Sequence, residues 1–407
     1  MKYLLISHDY PPLIGPESIQ SARLASWLGK YGWDAYVLCT KPALCHAVDN
    51  NLESFGEVTR AKTYESNILK GIVYLLARSF LYYPDTKISW IPSALEKGRE
   101  ILRKNQIDLI FSRSNPFTSH LVAKKLKQEF GKKWVAHFSD PWVDNTYLPK
   151  NISNFVLNQN KKWESEIIAE ADVLLFTSSE TVDLVMSKYS KDLMKKVHII
   201  PHTFEPNLLN KTMNNSINNK IVISHIGNFY GARTPEDLFI GLSKAIKANP
   251  DIENKLVVKL FGRIQNNYLK MINELGISKI VEYNGVIPYM GSLDEMLCAD
   301  VLLTIDAAGN NSVFLPCKLV EYLAANRPII SLTPKVGTSA RLLSELGHIV
   351  IENQDHEAIS NQVLKLYNDG TGWIKFDNSC IDKYHPKKVA EKVSEIFSNA
   401  VKTVGDK

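Results

Sequence analysis

Short apolar runs alternate with stretches of helical period from one end of the chain to the other. One series of runs lies at 3–7, 35–39, 108–112, 134–138, 173–177 and 197–201. A second lies at 221–226, 256–261, 280–283, 301–305, 328–332 and 349–351. Several are apolar throughout, the pattern of parallel strands covered on both faces. Between them, 18–31, 120–130, 235–248 and 358–367 repeat apolar residues three and four apart, as amphipathic helices do. Repeated strand–helix units predict the α/β class with doubly wound parallel sheets. Two series of strands make two sheets, since a single sheet of that size is unusual, and hence two Rossmann-like domains.

The tract 210–220, Asn-Lys-Thr-Met-Asn-Asn-Ser-Ile-Asn-Asn-Lys, has no apolar period and reads as a linker. The seam, and any hinge, is therefore expected within 204–220. The division expected is 1–205, 206–384 and a closing amphipathic helix, 385–407, that returns to the first domain. One stretch breaks the alternation. Residues 68–83 are apolar nearly all round, with only Lys70 and Arg78 charged. They read as a core helix, or else as an acceptor-side wall or a membrane-dipping helix.

Composition narrows the partners. The 407 residues are 45% hydrophobic and carry a formal charge of +5, enough apolar mass for two cores and a mild preference for anionic ligands or surfaces. The concentrated basic face of a nucleic-acid binder is missing. Lys124, Lys125, Lys127, Lys132 and Lys133, with Tyr82, Tyr83, Trp90 and Trp134, suggest a basic and aromatic surface suited to a lipid-linked acceptor at an anionic membrane. Five cysteines without CxxC or Cys/His spacing fit a reducing compartment and no metal or disulfide role. The N-terminus lacks the pattern of a signal peptide, and no run of ~20 apolar residues could span a bilayer. A cytoplasmic protein, at most peripheral on the membrane, is expected.

The first strand is followed by Ser7-His8-Asp9-Tyr10-Pro11-Pro12-Leu13-Ile14-Gly15-Pro16-Glu17. With no GxGxxG, a nicotinamide cofactor is disfavoured. Gly15 at a loop-to-helix junction still lets backbone N–H groups approach a phosphate, although Pro16 and Glu17 are also ordinary first-turn residues. The second series opens with His225-Ile226-Gly227-Asn228-Phe229-Tyr230-Gly231-Ala232-Arg233-Thr234-Pro235. Glycines flank the turn, and Arg233 lies beside a helix start, the combination a diphosphate needs. The plainer reading of Arg233 is a surface pair with Glu236 or Asp237. Gly262 and Gly285 each follow a strand, where open sheets bind ligands, and Ile287 could cover the face of a base. In 314–323, Phe-Leu-Pro-Cys-Lys-Leu-Val-Glu-Tyr-Leu, Lys318 and Glu321 share a helix face. Lys318 could reach phosphate while Glu321 accepts two ribose hydroxyls, or the two could form a simple surface ion pair.

From Gly227 to Gly347 the chain resembles the donor domain of retaining glycosyltransferases with the GT-B fold, of the large family 4 grouping. The first half is similar too, at Asp108-Leu-Ile-Phe-Ser-Arg-Ser-Asn-Pro-Phe and Trp134-Val-Ala-His-Phe-Ser-Asp-Pro-Trp. That grouping includes bacterial transferases for lipopolysaccharide, O-antigen and capsule. The resemblance implies two domains facing across a cleft. Glu321 matches the second Glu of the Glu-x7-Glu motif, which holds the donor ribose; the first falls at Val313. Arg233 stands where the family has a phosphate-binding Lys, Asn228 stands where it has an Arg, and Gly15 matches the glycine that closes over the diphosphate. Of the related Asp-x-Arg-Asp-x-Trp pattern, Asp140 and Trp142 are kept, while His137 and Ser139 replace Asp and Arg.

The implied donor site is Gly15, Gly227, Asn228, Arg233, Gly262, Ile287, Lys318 and Glu321. Asp140 is the stronger acceptor-side candidate, with His137 and His120 behind it. A lone His near a strand end is more often structural. The implied reaction moves a sugar from a nucleotide sugar to a saccharide or lipid-linked saccharide hydroxyl, with retention. No Asp-x-Asp pair occurs, in agreement with the absence of any metal or other cofactor. The alternatives are a nucleotide-sugar epimerase of similar architecture and a non-catalytic binding or scaffold homologue.

Overall fold

The computed structural model describes residues 1–43, 47–63, 83–147, 152–211 and 220–402. The chain forms two compact units, Met1–Pro201 with Pro386–Lys407, and His202–His385. The crossings at 201/202 and 385/386 correct the seam expected within 204–220. Phe204 is fully buried and meets the His385 ring edge-on at 5.5 Å. Leu208, in the short turn Pro206–Leu209, is also buried, and that turn packs on the helix Cys317–Ala324. The start of the polar tract is thus pinned to the second unit by its few apolar residues. Residues 212–219 lie outside the described residues, as do 68–82 of the apolar stretch. Tyr83, at the end of that stretch, packs against Trp163 at 4.6 Å.

The first unit is a parallel sheet of β1 (Lys2–Ile6), β2 (Asp34–Thr40), β3 (Glu57–Ala61), β4 (Leu109–Ser114), β5 (Lys133–Phe138), β6 (Val173–Phe176) and β7 (Val197–Ile199), in spatial order β3-β2-β1-β4-β5-β6-β7. The central strands are buried along their whole length, which is why they carry apolar runs on both faces. One face packs under the helices Ile91–Lys104 and Thr118–Phe130. The other is closed by the first helix, Pro16–Gly29, and the last, Pro386–Lys402, which pack on each other. Phe397 of that last helix sits 5.5, 5.2 and 5.1 Å from the rings of Tyr3, Trp33 and Phe111. Aromatic edge-to-face contacts of this kind add directional attraction to the buried area. Strand β3 is an edge strand without an apolar run, so periodicity did not reveal it. Its approach depends on Gly56, with φ +86°, where a Cβ would come within 2.4 Å of the Ala35 carbonyl oxygen.

The second unit has β8 (Ile221–Ile226), β9 (Leu256–Phe261), β10 (Val281–Gly285), β11 (Val301–Ile305), β13 (Ile329–Leu332) and β15 (Ile349–Ile351), all parallel, in the order β10-β9-β8-β11-β13-β15. The two-residue strands β12 (Asn311–Ser312) and β14 (Val336–Gly337) pair separately. In each sheet the first strand of the unit has its sequence successor on one side and a later strand on the other. These switch points, β1/β4 and β8/β11, open crevices at the strands' carboxyl ends.

His120 is a core residue. Its Nδ1 lies 2.8 Å from Ser112 Oγ, which also accepts the Trp134 indole N–H, and its ring lies 4.7 Å from Phe138. Burial pushes its pKa down to about 3. Because the unfolded chain takes up this proton near pH 6.5 and the folded chain does not, stability falls as pH drops from 6.5 toward 3. We expect His120→Gln to flatten that acid limb in urea titrations at stepped pH, relative to the unaltered chain.

Candidate functional site

In the second unit the chain leaves β8 through Gly227, whose N–H donates to the Phe261 carbonyl at 3.0 Å. At Gly262, with φ +115°, a Cβ would lie 2.3 Å from the Gly227 carbonyl oxygen. Only glycine accommodates both the backbone angle and this approach. Asn228 Oδ1 accepts the Arg263 N–H at 2.8 Å, and the Phe229 N–H donates to the Arg263 carbonyl at 2.9 Å. The loops after β8 and β9 are therefore tied together, and Asn228 takes part in the tie.

Arg233 reaches across the switch point. Its guanidinium lies 3.4 Å from Oδ1 of Asp306, at the end of β11, and 5.3 Å from the Tyr230 ring. Asp306 is buried and accepts the Thr333 hydroxyl at 2.9 Å. Arg233 is thus paired with a buried carboxylate of another strand end.

The helix Cys317–Ala324 buries Leu319, Val320, Tyr322 and Leu323. The Tyr322 hydroxyl accepts the Ile226 N–H at 2.9 Å, fixing this helix to the end of β8. Glu321 is only 3% exposed. It accepts the Tyr289 hydroxyl at 2.6 Å and lies 3.3 Å from the Lys318 ammonium, which itself donates to Ser292 at 3.0 Å. Lys318 is about a third exposed, so the pair opens outward on its cationic side. Burial raises the Tyr322 hydroxyl pKa, with Glu321 adding to the rise and Arg233 opposing it. Both charges thus act on the same hydroxyl.

The second unit therefore gathers Gly227, Asn228, Arg233 and Gly262 around one pair of loops, with Lys318 and Glu321 on the helix fixed to β8. Ile287 lies half-buried just before the helix Tyr289–Cys298. Val313, at the position of the missing acid, is buried, and its carbonyl accepts the Thr338 hydroxyl at 2.8 Å. Asp306, Tyr289 and Ser292 escaped the sequence reading, since nothing local distinguishes them from strand-end and helix residues elsewhere.

In the first unit, Gly15 precedes the helix Pro16–Gly29. Glu17, an ordinary first-turn residue by sequence, is buried at the β1/β4 switch. Arg113 at the end of β4 donates to it, Ser139 after β5 donates at 2.7 Å, and Ser21 at 3.2 Å. Asp140 is half-buried and accepts the Asn115 side-chain amide. Its loop is anchored by buried Glu164, which accepts the Val143 N–H at 3.0 Å and the Tyr189 hydroxyl at 2.8 Å. His137 lies inside β5, 1% exposed, with Nε2 3.4 Å from the Ile200 carbonyl and its ring near Phe111. It faces the core layer beneath the last helix.

Of the expected basic and aromatic surface, Tyr82 lies outside the described residues. Lys124 pairs with Glu166 and Glu170, Lys127 and Lys133 pair with Asp172, and Trp90 and Trp134 are fully buried. No helix among the described residues is long and apolar enough to cross a membrane. Among those residues no group of three or more His, Cys, Asp and Glu could hold a metal ion.

Residues 20–207 match the family Glycosyltransferase Family 4. Solved structures of glycosyltransferases with the GT-B fold match the whole length of the chain at low identity. Sucrose-phosphate synthase from Thermosynechococcus elongatus aligns with a TM-score of 0.72 and 15% identity, over 99% of each chain. HepE from Anabaena, in complex with UDP and glucose, aligns with a TM-score of 0.66 and 15% identity, over 98% of this chain and 100% of that one. The lipopolysaccharide outer core galactosyltransferase WaaB aligns with a TM-score of 0.60 and 15% identity, over 99% and 100%. The fold of the chain is GT-B. No curated protein sequence matches the chain.

Removing Arg113 leaves Glu17 as a buried charge without its ionic partner, which costs ~3–5 kcal/mol. We expect Arg113→Ala to lower the urea midpoint accordingly. Adding Glu17→Gln should recover part of the loss.

Proposed function

We propose that this chain is a glycosyltransferase that moves a sugar from a nucleotide-sugar donor to a hydroxyl of a saccharide or lipid-linked saccharide, with retention and without a metal, in surface polysaccharide synthesis. The observation that carries the reading is Glu321. A carboxylate 3% exposed is costly unless compensated. Here a tyrosine hydroxyl and a partly exposed lysine compensate it, which suits a group that also accepts hydroxyls from a ribose. Arg233 and Lys318 would then face the diphosphate, with the loops of Gly227 and Gly262 presenting main chain to it.

The chemistry asked of these residues is electrostatic. As the anomeric carbon–oxygen bond breaks, negative charge grows on the departing phosphate, and preplaced cations stabilise it there. The acceptor hydroxyl attacks from the same face, and its proton passes to the leaving phosphate oxygen. In the first unit Asp140 is the acceptor-side group in this reading. His137, packed in β5, serves the core. The structural neighbours support the donor class, since HepE is solved with UDP-glucose. The neighbour WaaB, a lipopolysaccharide galactosyltransferase, lends support to the surface-polysaccharide role. Cytoplasmic placement follows from the use of nucleotide sugars.

A binding-only homologue is the second reading, favoured by Val313 in place of an acid and by Asn228 spent on the Arg263 backbone. Incubation with a radiolabelled nucleotide sugar, with and without acceptor extract, separates the two. Release of nucleotide diphosphate that depends on acceptor supports transfer; binding without release supports the homologue. We expect Glu321→Ala and Lys318→Ala each to abolish transfer with unchanged circular dichroism. Arg233→Ala should lower kcat by ~10²–10³, the loss of one charge-stabilising group. Near-normal activity in any of the three removes that residue from the site.

A further inference from the structure

The helix Tyr289–Cys298 is held in the second unit by Leu293, Met296 and Leu297, all buried. Tyr289 and Ser292 lie one turn apart at its start and share a face. Lys318 and Glu321 share a face of the helix Cys317–Ala324 in the same way. The two faces meet residue to residue. The Tyr289 hydroxyl lies 2.6 Å from Glu321 Oε1, and the Lys318 ammonium lies 3.0 Å from Ser292 Oγ.

The chemistry of these groups fixes the direction of each hydrogen bond. An ionised carboxylate only accepts, so Tyr289 donates its one hydroxyl proton to Glu321. Ser292 donates to the Tyr289 carbonyl at 2.6 Å and accepts from Lys318, whose ammonium only donates. Lys318 and Glu321 Oε2, 3.3 Å apart, close the circuit. The ammonium also lies 5.3 Å from the centre of the Tyr289 ring, within reach of the attraction between a cation and an aromatic face. Tyr289 and Ser292 are buried, whereas Lys318 is about a third exposed. The neutral groups that orient the pair are thus shielded from solvent, and hydrogen bonds to charged groups in such a setting are the strong ones. One phenol proton sets the plane of the Glu321 carboxylate, and one serine oxygen sets the ammonium.

We propose that Tyr289 and Ser292 are positioning residues of the donor site with separate tasks, Tyr289 setting Glu321 for the ribose hydroxyls and Ser292 setting Lys318 for the diphosphate. This rests on the nucleotide-sugar reading above. Each acts through the charged side chain it holds. Loss of the tyrosine hydroxyl therefore weakens recognition of the ribose and spares the phosphates; loss of the serine hydroxyl does the reverse. A network that only joined the two helices would weaken both alike.

The test measures binding of UDP, GDP and ADP to the full chain by calorimetry, then of the 2′-deoxy and 3′-deoxy forms of whichever binds. At least one deoxy form should bind the unaltered chain about tenfold more weakly than its parent, the loss of a hydrogen bond to a charged group. Tyr289→Phe keeps the ring beside Lys318 and removes only the hydroxyl. It should weaken the parent nucleotide, leave the deoxy form nearly unchanged, and so close most of the gap. Ser292→Ala should weaken parent and deoxy forms by the same factor and keep the gap. In a Glu321→Gln background, where the gap is already reduced, Tyr289→Phe should change little more. A gap that survives Tyr289→Phe, or one that closes equally in Ser292→Ala, overturns the assignment while leaving the donor reading intact. Equal binding of the parent and both deoxy forms by the unaltered chain overturns it as well. If none of the three diphosphates binds the unaltered chain, the donor reading falls first and this inference with it.

Discussion

The site in the second unit depends on a cation held over the carboxyl end of a parallel sheet by a buried carboxylate. Arg233 comes from the loop after β8 and Asp306 from the end of β11, the two strands that diverge at the switch point. A buried Asp needs a partner; the guanidinium and the Thr333 hydroxyl provide one. In return, Asp306 draws a long flexible side chain into one position. An arginine fixed in this way can meet a phosphate without losing all its rotamer freedom at the moment of binding. The same charge reaches the Tyr322 hydroxyl and the His225 ring, so the helix carrying Glu321 and the buried imidazole share its field.

Around this contact, polar groups are arranged by sign. Lys318 and Arg233 offer positive charge and are partly exposed. Glu321 offers an acceptor and is buried. That division suits the nucleotide sugar proposed above as donor, with its anionic phosphates at one place and hydroxyls at another. Glycines 227 and 262 let the loops approach closely enough for the division to exist, because a side chain at Gly262 would collide with the Gly227 carbonyl.

The first unit solves a similar problem with different residues. Glu17, in the first turn of its helix, benefits from the positive end of the helix dipole and is clasped by Arg113 and two serines from neighbouring segments. Ser139, which stands where the related pattern has an Arg, is one of those two. A guanidinium from β4 therefore occupies a place beside it. The pair fixes the junction between the first strand and first helix, where Gly15 sits.

The sequence alone determined the architecture, because parallel strands buried on both faces write themselves as apolar runs and the helices between them as periodic ones. Twelve of the strands, the parallel α/β class and the amphipathic last helix were legible in this way. The edge strand β3, half exposed and polar, left no such mark. Of the donor candidates, Arg233, Lys318, Glu321 and the glycines could be named because glycines at strand ends and a cation at a helix start carry local signatures. What only the tertiary structure decided were the partners: Asp306 for Arg233, Tyr289 and Ser292 for Glu321 and Lys318, Arg113 for Glu17. It also turned His120 and His137 into core residues and paired Lys124, Lys127 and Lys133 with carboxylates. The reason is the same in each case. Burial and pairing are properties of residues far apart in the chain that the sheet brings together, and no local pattern records which side chain will stand opposite which.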